Sequence, residues 1–481
     1  MKRQLDIENI EVFSKKRKID DIFLKNCENN FNNNISNKII KNAITNVGSL
    51  YVTTDHDEAR KVSHVFLNTI KKKNLKATDQ GGSGRCWLFS GLNIFRHLVI
   101  KALELENFEF SETYLFFWDK FERSNSFLQW FSEFTRNKGN EESEEFNERF
   151  FEFLIDKEKW MSDGGYWNYF SNLVEKYGLI PKSAMPETVH SEYSSDMNDI
   201  LMDILQNAAY EISKTESKNI DKIIDKTLKN IYNVLVKFLG EPPKTFNWEF
   251  VNESEESTII EQLNPMSFKE LVLTDINVSD FVVLVNIPSS KYPYYKKYEI
   301  DNTNNVIEKE PCTIVNLPIN ELKKYTQKSI LKGIPVWFGA DVNKHFNPLY
   351  SALNEQLNKD EIVFEYKSKM DKENRFIFKN QETCHAMTFT GLNIDHKNKS
   401  VNWQVENSWG FYDNEELGKD GFLCMTDKWF EEYVGQIVIH KKFLSRNILK
   451  ILEEESTHLK PWESMAPAIK INSKRFYKYT K

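Results

Sequence analysis

Several things that define common protein classes are scarce in this chain. No apolar run approaches the roughly 18 residues that a membrane-crossing helix needs, so no membrane partner is expected. Met1-Lys2-Arg3-Gln4-Leu5-Asp6 runs into acids without an apolar stretch, unlike a secretory signal, and a cytoplasmic protein is the expectation. Cysteines number five in 481 residues, at 27, 86, 312, 384 and 424. So sparse and odd a set is no disulfide framework and suits a reducing compartment. Excess basic charge is missing too: the net charge of −7 argues against a dedicated nucleic-acid binder.

What is present is a composition able to build a large core. Hydrophobic residues make up 40% and charged residues 28%, which excludes wholesale disorder. At about 150 residues per domain there is room for about three domain-sized units. Residues 1–40 read as a disordered or extended arm, because seven of the twelve residues from Asn26 to Asn37 are Asn. Within it, Lys15-Lys16-Arg17-Lys18 resembles a nuclear-entry signal, although a solvated charge run on a floppy terminus is the simpler reading.

Helical periodicity dominates from 86 to 240. Ile200, Leu201, Ile204, Leu205 and Ala208 share one helix face; Ile220, Ile223, Ile224, Leu228, Ile231 and Leu235 share another, stopped by Gly240, Pro242 and Pro243. Strand-like segments gather later, at 281–285, 335–338, 386–390, 401–405 and 436–439, with the polar loop 395–399 reading as a hairpin turn. Helices first and strands last predict an α+β protein.

One constellation carries chemistry. In Thr78-Asp79-Gln80-Gly81-Gly82-Ser83-Gly84-Arg85-Cys86-Trp87, Gly and Ser form a tight loop into a helix start. Cys86 then sits at the helix N-terminus, where the dipole favours an anion and lowers a thiol pKa. A thiolate nucleophile needs a base, and His385 opens a predicted strand. Asn407 ends the next strand, where its amide would hold the imidazole, and Trp409 would shield that bond from water. The Gln80 side-chain amide and the Cys86 N–H would form an oxyanion hole. Taken singly, a buried structural Cys, a satisfied His or a turn Asn is the commoner fate; the set together points to nucleophilic catalysis.

Gln80…Cys86-Trp87, then His385, then Asn407-Ser408-Trp409-Gly410 resemble the papain superfamily in order and context. Ser83-Gly84-Arg85-Cys86-Trp87, Asp163-Gly164-Gly165, Val336-Trp337-Phe338-Gly339 and His385-Ala386-Met387-Thr388 are similar to one branch, the bleomycin hydrolase and aminopeptidase C family. The resemblance spans about Lys41 to Ala468. It implies a papain-like core with a left domain at 41–189 carrying Cys86, and a helical and oligomerisation insertion at 190–330. A β-rich right domain at 331–455 would carry His385 and Asn407, and a tail at 456–481 would enter the active-site cleft. It implies a homohexamer without cofactor or metal that removes N-terminal residues from peptide substrates. Gly164 and Gly165 would hydrogen-bond an extended substrate, and Ala468 would lie near the tail's end, whose carboxylate would meet the substrate ammonium. Here thirteen more residues follow Ala468, carrying Lys470, Lys474, Arg475, Lys478 and Lys481 and no acid. Such a tail would repel an ammonium, so self-trimming back towards Ala468 is expected. Cys384, beside His385, would offer a redox partner to Cys86 if its sulfur came within reach. An endopeptidase of the same fold, acyl transfer on the same residues, and a non-enzymatic nucleic-acid-binding or scaffold protein remain as alternatives.

Overall fold

The computed structural model describes residues 18–137, 143–156, 160–274, 276–410 and 419–471. The described residues fall into two compact units, one within 18–56 with 358–368, the other within 57–357 with 369–471.

In the first unit the expected arm is corrected over 21–40. Asp21–Asn32 and Ile35–Val47 are helices. Asp20 caps the first by accepting the Phe23 N–H at 2.9 Å, and Asn34 caps the second by accepting the Ser36 N–H at 2.9 Å. Asn37, Ile40, Ala43 and Ile44, spaced as one helix face, are its half-buried residues. The asparagine-rich composition concealed both the caps and this short periodicity. Lys15, Lys16 and Arg17 lie outside the described residues.

The second unit joins helices to a mixed sheet of twelve strands among the described residues. Its central run of neighbours is Lys296–Ile300, Cys312–Asn316, Phe281–Val285, Val434–His440, Val336–Ala340, His385–Ile394, Ser400–Glu406 and Phe422–Thr426. His385–Ile394 and Ser400–Glu406 pair antiparallel with Thr388 opposite Glu406, so the ends of the two strands that carry His385 and Asn407 come together. The hairpin loop is pinned by Asp395, which accepts the N–H groups of Lys397 and Lys399 at 2.8 and 2.9 Å. Trp87, Trp337, Trp403 and Trp429 are fully buried where helices and sheet meet. No described helix is long and apolar enough to cross a membrane.

The segment 190–330 is purely helical only as far as Leu239; beyond it strands alternate with the helices Pro265–Val272 and Ile319–Leu331. Ser195–Lys214 and Ile220–Leu239 form a hairpin burying Leu201, Leu205 and Ala208 on one helix, and Ile224, Ile231 and Leu235 on the other. Ile200 is exposed, so the buried stripe is rotated one residue from the predicted face. Beyond Gly240 the chain enters a two-stranded hairpin, Phe246–Val251 with Ser257–Leu263. It then supplies three strands of the main sheet. Phe281–Val285 pairs directly with Val434–His440, so this stretch belongs to the sheet layer. Its continuous, β-branched apolar run marks it as strand and says nothing of its partner.

Candidate active site

The loop 78–85 is tied down before the helix Cys86–Ala102 begins. Gln80 N–H donates to Ser408 O at 2.8 Å and Gly410 N–H to Thr78 O at 2.9 Å, which splices this loop to the Asn407–Gly410 segment. Gly410 has φ +69°, and a Cβ there would meet Asp79 Oδ2 at 2.6 Å, so glycine is required. The Ser83 hydroxyl donates to Gln80 O at 2.7 Å, and Arg85 Nε donates back to Ser83 Oγ at 2.8 Å.

Cys86 is fully buried at the first turn of its helix, and its Sγ accepts the Ala386 N–H at 3.5 Å. The thiol therefore lies against the start of the strand led by His385. His385 Nε2 hydrogen-bonds Asn407 Oδ1 at 2.8 Å. An amide oxygen only accepts, so Nε2 carries the proton and Nδ1 is left as the basic nitrogen. Asn407 Oδ1 also accepts the Ser408 N–H at 2.8 Å. Trp409 stacks on the imidazole with ring centroids 4.6 Å apart and planes at 27°. Gln80 Oε1 accepts the Ser408 hydroxyl at 2.6 Å and its Nε2 donates to Ser83 O at 2.6 Å, which fixes the orientation of the amide. Cys86, His385, Asn407, Gln80 and Trp409 are thus brought together.

Burial pushes the His385 imidazole down to about 4, against the hydrogen bond it donates to Asn407. The ring is therefore neutral at pH 7 unless a thiolate stands beside it. A linkage effect follows in Cys86→Ala, where no thiolate exists. Between about pH 6.5 and 4 the unfolded chain binds a proton that the folded chain refuses, so stability falls as pH is lowered through that window, by roughly 3 kcal/mol at most. Urea midpoints of Cys86→Ala at pH 7 and pH 4.5 should show the loss, and Cys86→Ala/His385→Gln should show less of it.

The glycine strip is buried, and an added Cβ on Gly165 would meet the Trp87 ring at 2.7 Å. Gly165 O accepts the Ile471 N–H at 3.0 Å in an antiparallel bridge. Ile471 is fully buried, with its Cδ1 over Gly339, where an added Cβ would lie 2.8 Å away. Gln436 Nε2 donates to Ile469 O at 2.8 Å. The tail residue on the strip is Ile471, which corrects the expectation for Ala468. Ala468 sits three residues earlier, half-buried, lining a small cavity with Thr383 and Gly435. Residues 472–481, with four of the five tail cations, lie outside the described residues.

Cys384 faces away from the nucleophile. Its Sγ lies 3.6 Å from Asp341 Oδ1 and 3.4 Å from Asn343 Nδ2, and burial first, then the Asp341 charge, pushes its thiol up. Neighbouring strand residues point to opposite faces. The redox role is corrected accordingly: Cys384→Ser should match wild type in peroxide inactivation and thiol rescue, measured side by side.

Sequence reasoning missed Ser408, which orients Gln80, and Asp163, whose carboxylate accepts the Gly84 N–H at 2.9 Å. Both sit inside motifs already singled out, but nothing in the motifs says where their side chains point. Among the described residues, Glu299, Asp301 and His458 have metal-like spacing, and Lys460 Nζ stands 3.2 Å from Asp301 Oδ2, already answering that carboxylate.

A helix-borne cysteine, a strand-borne histidine with its asparagine, and a stacked tryptophan are the set expected of a papain-like cysteine peptidase. The chain belongs to the Peptidase C1-like family, whose profile matches residues 18–466. Human bleomycin hydrolase is 37% identical over 84% of this chain and 89% of its own length. Aminopeptidase C of Listeria monocytogenes is 33% identical over 97% of this chain and 99% of its own. The crystal structure of PepW from Lactobacillus rhamnosis superposes with a TM-score of 0.84 at 28% identity, covering 93% of this chain and 98% of that one.

Proposed function

We propose that this protein is a cysteine aminopeptidase that removes N-terminal residues from peptides through a thioacyl-enzyme. Cys86 Sγ attacks the scissile carbonyl while His385 Nδ1 takes its proton. The same imidazole then protonates the leaving amine, and later draws a proton from the water that releases the acyl group. Asn407 keeps the Nε2–H oriented, as its 2.8 Å bond allows. The Gln80 amide, with the Cys86 N–H, takes the developing oxyanion. Gln80→Ala is expected to lower kcat by about 10²-fold with little change in KM, the range for one oxyanion donor; steady-state kinetics would check it.

The observation that carries the exopeptidase reading is the tail on the glycine strip, Ile471 N–H to Gly165 O at 3.0 Å. It fills the strip where an extended substrate would place residues ahead of the cleaved one. A substrate then has room for one residue before the scissile bond, which is what an aminopeptidase requires. Assay on free and N-acetylated forms of one peptide tests this.

The resemblance further supports a homohexamer and a cytoplasmic location. Light scattering on the purified protein should give a mass about six times the 56.8 kDa chain if the first holds.

A further inference from the structure

Two carboxylates that the proposed chemistry does not use stand directly behind the nucleophile. Asp163 Oδ2 accepts the Gly84 N–H at 2.9 Å and the Ser194 hydroxyl. Its Oδ1 accepts from Asn198 Nδ2 at 2.7 Å and from Lys120 Nζ at 3.1 Å, and its carbonyl takes the Trp87 indole N–H at 2.6 Å. Glu187 grips Arg85 twice, at 2.7 Å to Nη2 and 3.2 Å to Nη1, and accepts the Ser191 hydroxyl at 2.5 Å. Gly84, Arg85 and Trp87, the residues flanking Cys86, are therefore each held by one of these two acids.

Burial alone would raise both acids. Lys120 and the Gly84 N–H outweigh it at Asp163, and Arg85 outweighs it at Glu187, so both stay ionised at neutral pH. Asp163 also leads directly into Gly164-Gly165, and Arg123 secures the same segment by donating to Ser162 O at 2.7 Å. One residue thus fixes both the nucleophile loop and the substrate strip. Ser191, Ser194 and Asn198 come from the base of the helical insertion, at Val189–Glu192 and the start of Ser195–Lys214. All cysteines among the described residues are free, so no disulfide joins loop and strip there.

We infer that Asp163 and Glu187 are positioning residues that hold the nucleophile loop in register with the substrate strip, using the base of the helical insertion as an abutment. This rests on the reading of Cys86 as the nucleophile. Neither acid hydrogen-bonds His385 or Asn407, so the register can loosen while the reacting pair stays intact. Misplacement by about 1 Å costs on the order of 10²-fold in rate.

The test measures kcat, KM and the pH profile of Cys86 alkylation by iodoacetamide, a small reagent that does not use the strip. In Asp163→Asn and Glu187→Gln, kcat should fall about 10- to 100-fold with alkylation rate and profile at wild-type values. A kcat within about twofold of wild type would overturn the inference, as would alkylation falling in step with kcat, the mark of a merely loosened fold. Should Asp163→Asn not fold, Ser194→Ala/Asn198→Ala removes two of its donors and leaves the Lys120 pair. The same split, with a smaller drop, is expected there, and wild-type kcat would remove the insertion from the argument. Wild-type enzyme that stays active after complete Cys86 alkylation would instead refute the underlying reading, independently of either acid.

Discussion

Cys86→Ala is expected to abolish peptide hydrolysis while leaving the fold intact. The side chain is fully buried, but it is small, and its loss leaves a cavity of one sulfur atom, a cost well inside a normal stability margin. The catalytic cost is of a different order. None of the other buried thiols can take over: Cys384 points to Asp341 on the far face of its strand, and burial pushes both Cys312 and Cys424 up, to about 12 and about 11. Without a nucleophile the acyl-enzyme cannot form, and losses for such residues reach about 10⁶-fold in kcat. His385→Ala should be nearly as damaging. Asn407→Ala should be milder, since it orients the base without itself carrying the transferred proton. Steady-state assays of the three variants, with circular dichroism to confirm folding, decide the order. Substantial turnover by Cys86→Ala would end the assignment.

The second large effect concerns the C-terminus. Active wild-type protein is expected to lose mass from residues 472–481, and Cys86→Ala to keep them. The sequence alone pointed to Ala468 as the stopping point, and the structure moves it. Ile469 and Ile471 are buried, each worth about 1.5–3 kcal/mol of apolar burial, and Gln436 and Gly165 hydrogen-bond their backbone. Trimming as far as Ala468 would discard these contacts; trimming to Ile471 keeps them. A carboxylate at Ile471 would lie at the end of the glycine strip, beside the position for a substrate ammonium. Intact-mass analysis distinguishes the two end points, and truncation after residue 471 should give full activity at once. Active protein with its complete tail would refute self-trimming.

Legibility in the sequence followed the range of the physical signal. His385 and Asn407 were readable as neighbours because two alternating apolar segments joined by a five-residue polar loop leave few alternatives to a hairpin. The helix at Cys86 was readable from its glycine-rich approach. The strand Phe281–Val285 was readable as a strand, yet its place beside Val434–His440 was not, because sheet neighbours 150 residues apart leave no local trace. The capped helices at 21–47 were hidden by asparagines, which serve as caps as readily as they fill loops. Asp163 and Ser408 stood inside recognised motifs, but their roles depend on partners such as Asn198 and Gln80 that only the fold brings near.

The most direct measurement is the rate of cleavage of one peptide with a free amino terminus and of the same peptide N-acetylated, using protein whose C-terminus has been defined by intact mass. The account predicts stepwise removal of residues from the free peptide, no cleavage of the acetylated one, and loss of both signals in Cys86→Ala. Comparable cleavage of the acetylated peptide at internal bonds would contradict it and make the protein an endopeptidase.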